Sequence, residues 1–190
     1  MWSFITTFLP RAVIQGMPLL FGSTGEILTE KSGNLNLGIP GIMFVGAIAG
    51  TTGAFLYEKS VGAGQMNAFL AVFIPLMSCL VGSFLMGLLY CFLTVTLRAN
   101  QNVTGLSMTI FGTGLANFLG GALAKLAKSE VANLDIAKSV NYFGDGNHPG
   151  WLAYVGIGIA ILTSLFLRYT RTGLQLRAVG ENPATADAAG

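Results

Sequence analysis

GAGQMNAFLAVFIPLMSCLVGSFLMGLLYCFLTVTL, residues 62–97, carries no charged side chain along its whole length. Within it, Ala68 to Leu97 would measure about 45 Å as an α-helix, against about 30 Å of bilayer hydrocarbon. Such a block is stable in lipid, and a helix is the one structure that satisfies its backbone there from within a single segment. Its excess length, and Pro75 with no backbone N–H, predict a span that tilts, protrudes or kinks.

The reading extends outward from this block. Ser32 to Tyr57 and Ala99 to Ala124 are also free of charge, and Gly146 to Leu167 holds only His148 near one end. Of 190 residues 53% are hydrophobic and 9% charged, where an ordinary soluble domain is about 25% charged. Mean hydropathy is +0.66. Apolar and polar residues do not alternate at strand length, which argues against a β-barrel. The expected fold class is all-α: a polytopic integral membrane helical bundle forming a single domain over residues 1–190, with about five spanning helices. These are Ala12–Leu28, Asn36–Tyr57, Ala68–Leu97, Thr104–Ala124 and Trp151–Leu167. Met1 to Arg11, interrupted by Pro10 and Arg11, reads as an interfacial lead-in. It lacks the pattern of a removable signal peptide, so the first span is expected to direct insertion.

Small residues recur at every fourth position: Gly46, Gly50 and Ala54; Cys79, Ser83, Gly87 and Cys91; Gly112, Ala116, Gly120 and Ala124; Gly156, Ala160 and Ser164. In lipid such rows let helix backbones approach closely. Cys79 and Cys91 would stand about 18 Å apart on one helix, beyond disulfide reach, and read as packing residues.

Arg168, Arg171 and Arg177 follow the last span with no acid before Glu181, which places that end in the cytoplasm. Counting back, Arg98 is cytoplasmic, the charge-balanced stretch Lys125 to Pro149 is external, Thr29 to Asn34 is internal and the N-terminus is external.

Several chemistries are excluded. A net charge of +2, with no basic run interleaved with aromatics, does not suit nucleic acid. No Gly-Lys dipeptide exists, so ATP is not held by a phosphate loop of the Walker type. The glycines of Phe111 to Gly121 follow no strand and read as packing glycines. His148, in a Gly/Pro-flanked loop, reads as solvated. No catalytic constellation, metal site or cofactor site can be assembled. Asn102-Val103-Thr104 is a chance glycosylation match on the cytoplasmic side, and Asn100, Gln101 and Asn102 read as a wet loop.

Two segments remain. In Ser32 to Gly41, SGNLNLGIPG, polar side chains and glycines interrupt apolar sequence at membrane depth. Two readings stand: a broken helix beside a translocation path, with Ser32, Gly33, Asn34, Asn36 and Gly38 lining it, or an interfacial turn between two spans. In Gly173 to Gly190, Asn182 suits an N-cap, Pro183 a first helical turn, and Ala184 to Ala189 a helix with almost no apolar area. Too polar to span and too bare to build a core, this helix is expected to lie on the cytoplasmic face against another protein, with Gly180 and Gly190 bracketing it as flexible backbone.

Together these segments resemble the permease subunits of binding-protein-dependent ABC importers, in the branch for ribose-type sugars, nucleosides and branched-chain amino acids, and within it the bacterial nucleoside and simple-sugar permeases. Leu28 through Gly41 is similar to the family's L-x-E-[KR]-[ST]-G-x-x-N-[LI]-G-x-x-G, with Pro40 where many members have an acidic residue. Thr170 through Gly190 is similar to T-x-x-G-L-x-L-R-A-V-G-E-N-P-x-A-A-x-x-A-G, with Thr185 shifting the alanine pairing. Asn100 to Phe118 is similar to the entrance of the family's fourth span. The likeness covers nearly the whole chain.

The resemblance implies a multi-pass subunit of the bacterial cell membrane that performs no bond chemistry and binds no cofactor. It works with a second permease, a cytoplasmic ABC ATPase and an extracytoplasmic substrate-binding protein to carry a nucleoside or simple sugar. Gly180, Glu181, Asn182, Pro183, Ala186, Ala189 and Gly190 would then couple the ATPase to transport. Family members continue past this segment with further spans, so the chain is expected to be a fragment or a truncated gene product. The rival class, an ion-gradient-driven secondary transporter or channel, usually places ionisable residues inside its spans. Here only Glu26, Glu30 and Lys31 come close.

The charge bias generates a test of sidedness. With Cys79 and Cys91 replaced, a cysteine at Asn141 is expected to react with an impermeant thiol reagent added outside intact cells. Labelling only after permeabilisation would invert the topology.

Overall fold

The computed structural model describes residues 2–62, 66–126 and 150–189. These form helices α1 (Trp2–Lys31), α2 (Ile39–Val61) and α3 (Ala68–Cys91), the last extended by a π-helical turn (Phe92–Thr96). They continue as α4 (Gln101–Leu126), α5 (Trp151–Tyr169), α6 (Arg171–Glu181) and α7 (Pro183–Ala189). No strand occurs among the described residues. The chain divides into two compact units, one holding α1 with the residues after it to Asn36 and then α5 to α7, the other beginning at Leu37 and holding α2 to α4.

Among the described residues four helices are long and apolar enough to cross a membrane: α2, α3 with its π turn, α4 and α5. The expected first span is corrected in two respects. Residues assigned to a separate lead-in belong to α1, which runs for 30 residues through both Pro10 and Pro18. A proline inside a helix removes about one backbone bond, whereas unwinding there would free several groups at once. In addition α1, carrying Arg11, Gln15, Glu26, Glu30 and Lys31, is not one of the four sufficiently apolar helices. Two of its hydroxyls bond its own backbone: Ser23 Oγ donates to the Leu19 carbonyl, and Thr24 Oγ1 to the Leu20 carbonyl at 2.6 Å. Back-bonding of this kind hides polarity within the helix.

In the second unit, α2 and α3 meet along the expected rows of small residues. A methyl carbon added at Gly46 would overlap Ser83 Oγ, and one at Gly50 would lie 3.2 Å from Cys79 Cβ. The row does not persist. Gly87 faces open space, and Cys91 is exposed. Helix α4 uses a different spacing, seven residues, to reach α2. A carbon at Gly105 would lie 2.8 Å from Leu37 N, and one at Gly112 would overlap the Gly41 carbonyl and sit 2.7 Å from Gly41 Cα. Val45, Met86, Tyr90 and Met108 form the buried core of this unit, with Ile42, Leu93 and Leu115 against it. Side chains such as Val81, Phe84, Leu85 and Phe118 remain exposed, as suits helices whose outer surface meets lipid.

The long third span ends in a π turn, in which Leu97 N–H bonds the Phe92 carbonyl at 3.1 Å, while Pro75 sits inside the continuous helix α3. The expected wet loop at Asn100–Asn102 is the start of α4 instead. Asn100 Oδ1 accepts from Asn102 N at 3.0 Å and Val103 N at 3.2 Å, an N-cap that satisfies two otherwise orphaned donors. Of the expected external loop, Lys125 closes α4 and Gly150 caps α5. Residues 127–149, with His148, lie outside the described residues.

In the first unit, α5 crosses α1 where Gly156 takes the Phe21 ring: an added carbon there would meet Cε2 and Cζ at 3.1 Å.

The contrast between Gly112 and Gly114 tests close packing on α4. Gly112→Ala must push backbone against backbone and is expected to destabilise the second unit by about 1–3 kcal/mol. Gly114, with nothing within 4 Å of an added carbon, should tolerate alanine and gain about 0.5–1 kcal/mol from helix propensity. Thermal unfolding of the two variants in detergent checks the order.

Candidate functional site

Helix α1 stops at a defined device. Gly33 N–H bonds the Glu30 carbonyl at 2.9 Å and Asn34 N–H bonds the Thr29 carbonyl at 3.0 Å. With Gly33 at φ 86, this is the double bond and left-handed residue of a Schellman C-cap. Ser32 sits at the cap itself, its Oγ donating to the Thr29 carbonyl at 2.7 Å. The break expected at residues 32–41 is therefore present between Lys31 and Ile39.

Glu26 holds the far side of the break. Its Oε1 accepts from Asn36 N–H at 3.0 Å, and Thr29 Oγ1, which donates to the Glu26 carbonyl at 2.9 Å, lies 3.3 Å from Oε2. Asn36 is buried, at 4% exposure, and the Glu26 carboxylate supplies its amide with a charged acceptor. On the other side, Leu37 and Gly38 rest on α4, and the Leu37 carbonyl accepts from Thr109 Oγ1 at 2.8 Å. Gly38, also buried, is the N-cap of α2, and Pro40 falls in its first turn, where no N–H is required. Thus Asn36 and Gly38 are buried in protein and Ser32 and Asn34 half-buried, while Gly33 is exposed.

The second segment is two helices. Thr170 Oγ1 accepts from Gly173 N–H at 3.0 Å and so caps α6. An added carbon at Gly173 would overlap the Phe166 carbonyl and lie 2.7 Å from Leu167 Cα, so α6 folds back tightly on the last turn of α5. At the other end of α6, a carbon at Gly180 would overlap the Lys31 carbonyl and stand 2.9 Å from Gly33 N. Gly180 is thus not a flexible bracket, as expected from sequence, but a helical residue that brings α6 against the end of α1 backbone to backbone. A glycine is used because that contact leaves no room for a side chain.

Asn182 closes α6 and opens α7. Its N–H bonds the Ala178 carbonyl at 3.1 Å, and its Oδ1 accepts from Thr185 N–H at 3.2 Å. Pro183 follows as the first residue of α7, matching the expected cap and start. Glu181, Asn182 and Pro183 are exposed and Ala186 is half-buried; Ala189 ends the helix, and Gly190 lies outside the described residues. The two groups of site residues thus meet at one point, Gly33 against Gly180. Sequence reasoning missed Glu26 and Thr29 as the braces of the break, and Thr170 with Gly173 as the device that places α6. No group of His, Cys, Asp or Glu able to hold a metal occurs among the described residues.

These elements define a multi-pass helical membrane protein whose last described span leads into two short polar helices, the first packed against the ends of α1 and α5. Residues 9–190 match the family described as the permease component of branched-chain amino acid transport systems, and the chain belongs to that family. It is 31% identical, over 94% of its length, to the nucleoside ABC transporter permease protein NupC of Lactococcus lactis subsp. cremoris. It is 28% identical, over 99%, to the putative glucose ABC transporter permease protein TsgC13 of Haloferax volcanii, and 23% identical, over 98%, to the guanosine ABC transporter permease protein NupQ of Bacillus subtilis. The chain spans 57%, 56% and 59% of those relatives. No solved structure matches it significantly.

The Gly33–Gly180 contact predicts a local effect of substitution. Gly180→Ala should lift α6 from α1 at a cost of about 1–3 kcal/mol. In inverted membrane vesicles, trypsin cleavage at Arg177 is expected to accelerate in that variant, and not in Gln175→Ala, a change at an exposed position of the same helix.

Proposed function

We propose that this chain forms part of the membrane pathway of an ATP-driven importer. In this reading, α6 and α7 receive the movement of a cytoplasmic ATPase, and the break at Ser32–Gly38 borders the path of the solute. Membership of the permease family supports the general role. The observation that carries the specific one is the backbone contact between Gly180 and the Lys31–Gly33 end of α1. Whatever displaces α6 must push directly on the residue that starts the break.

The solute class is drawn from the relatives: a nucleoside or a simple sugar, delivered by an extracytoplasmic binding protein to a cavity formed with a second permease. Helix α7 suits docking because Asn182 and Pro183 fix its start while its alanines present a smooth surface that a partner groove can approach closely. Glu181, Asn182, Pro183, Ala186, Ala189 and Gly190 form the docking element, and Gly180 transmits its movement.

The alternative, coupling to an ion gradient, would draw on an acid inside a span. Glu26 is the nearest candidate, yet its Oε1 already accepts from the buried Asn36 N–H at 3.0 Å. That commitment favours a structural role for it.

Ala186→Trp, measured in cells that make the chain with its cognate ATPase and binding protein, is expected to lower solute uptake at least tenfold and weaken recovery of the ATPase, with membrane insertion unchanged. Unaltered uptake and recovery would sink the docking role. Uptake abolished by a protonophore while cellular ATP is maintained would favour the ion-driven alternative.

A further inference from the structure

The first unit contains a cleft of about 400 Å³ that the transport reading does not use. It runs between one face of α1, marked by Leu20, Thr24, Ile27 and Lys31, and one face of α5, marked by Ala160, Ser164, Leu167 and Arg168. Both sets follow the three-to-four-residue spacing of a single helix face. Arg177, from α6, closes the end at which Lys31 and Arg168 stand. The cleft is therefore graded along its length. At one end the walls are Leu20 and Ala160. In the middle, the Ser23 and Thr24 hydroxyls are spent on carbonyls of their own helix, and Thr163 and Ser164 line the facing wall beside Ile27 and Leu167. At the other end three cations converge.

Arg177 Nε is buried and has no hydrogen-bond partner among the described residues. The nearest acids in sequence, Glu30 and Glu181, are exposed and do not line the cleft. A buried guanidinium N–H left unpaired is costly, and the planar guanidinium suits oxygens of a phosphate. The positive-inside bias places this end at the cytoplasmic surface, where anionic lipid headgroups lie.

We propose that the cleft binds an anionic phospholipid of the cytoplasmic leaflet, its phosphate held by Lys31, Arg168 and Arg177 and an acyl chain laid between α1 and α5. The continuation of the cleft along two helices, past Ile27 and Leu20 on one and Leu167 and Ala160 on the other, is what favours a lipid over a free phosphate, which would use only the cationic end. Because Arg177 belongs to α6, a bound lipid would also steady the helix that contacts Gly33. The site depends on the membrane orientation read from the arginines, but not on the solute or the ATPase.

The test is native mass spectrometry of the full chain, released from detergent and titrated with phosphatidylglycerol, phosphatidylcholine or inorganic phosphate. Phosphatidylglycerol should be retained in preference to phosphatidylcholine. Arg177→Gln and Arg168→Gln should each weaken that retention about fivefold, the scale of one basic residue at a lipid surface, whereas Arg171→Gln, outside the cleft, should not. Ala160→Phe, which fills the apolar stretch and removes no charge, should weaken it too, and serves if Arg177→Gln fails to insert. Equal retention of both lipids, an equal effect of Arg171→Gln, or displacement of phosphatidylglycerol by inorganic phosphate would each overturn the proposal.

Discussion

The absence of a side chain at Gly180 is the constraint on which the first unit turns. It lets α6 lie with its backbone against the Lys31 carbonyl and Gly33 N at the end of α1. Gly173, seven residues earlier, does the same against Phe166 and Leu167 on α5. Seven residues are close to two helical turns, about 10.5 Å, so both glycines fall on one face of α6. That face is pinned at both ends, which leaves the opposite face free. With Thr170 capping the start of α6 and Asn182 closing its end, little conformational freedom remains between the last span and α7. A short polar helix pair gains a fixed attitude without a hydrophobic core of its own.

The same end of α1 solves a second problem, the cost of irregular backbone near a bilayer. A chain that leaves a helix at membrane depth must satisfy each freed N–H and C=O. Here the Schellman bonds take Gly33 and Asn34, Glu26 takes Asn36, and Thr109 takes the Leu37 carbonyl. The polar residues of SGNLNLGIPG are thus the scaffold of a turn held from several directions. The bonds of Gly33, Asn34 and Asn36 tie residues 33–36 to α1, which is what transmission from α6 to that segment would need.

Much of this was legible because hydrocarbon leaves few choices. Charge-free runs revealed α2 to α5, and the four-residue rows foretold Gly46 and Gly50 against Cys79 and Ser83. The break at residue 32 and the cap at Asn182 were readable from residue type alone. Other features depended on partners distant in sequence. Pro10 and Arg11 suggested interruption, yet α1 continues past them, a proline inside a helix removing about one backbone bond and leaving the rest. Gly105 and Gly112 pack at a seven-residue spacing that a four-residue search passes over. Gly180 looked like a hinge beside Asn182, and only the position of Lys31 shows it to be a contact. Glu26 looked like a stray charge until Asn36 was seen ten residues on.

If movement of α6 is transmitted to the break, the two must respond together. Hydrogen–deuterium exchange of the chain assembled with its ATPase, with and without bound ATP, measures this directly at residues 32–36 and 171–181. Coincident changes at both segments are the predicted result, lost at residues 32–36 alone when Gly180 is replaced by alanine. A nucleotide response confined to residues 171–189, with exchange at Gly33, Asn34 and Asn36 unaltered in the unsubstituted protein, would contradict it.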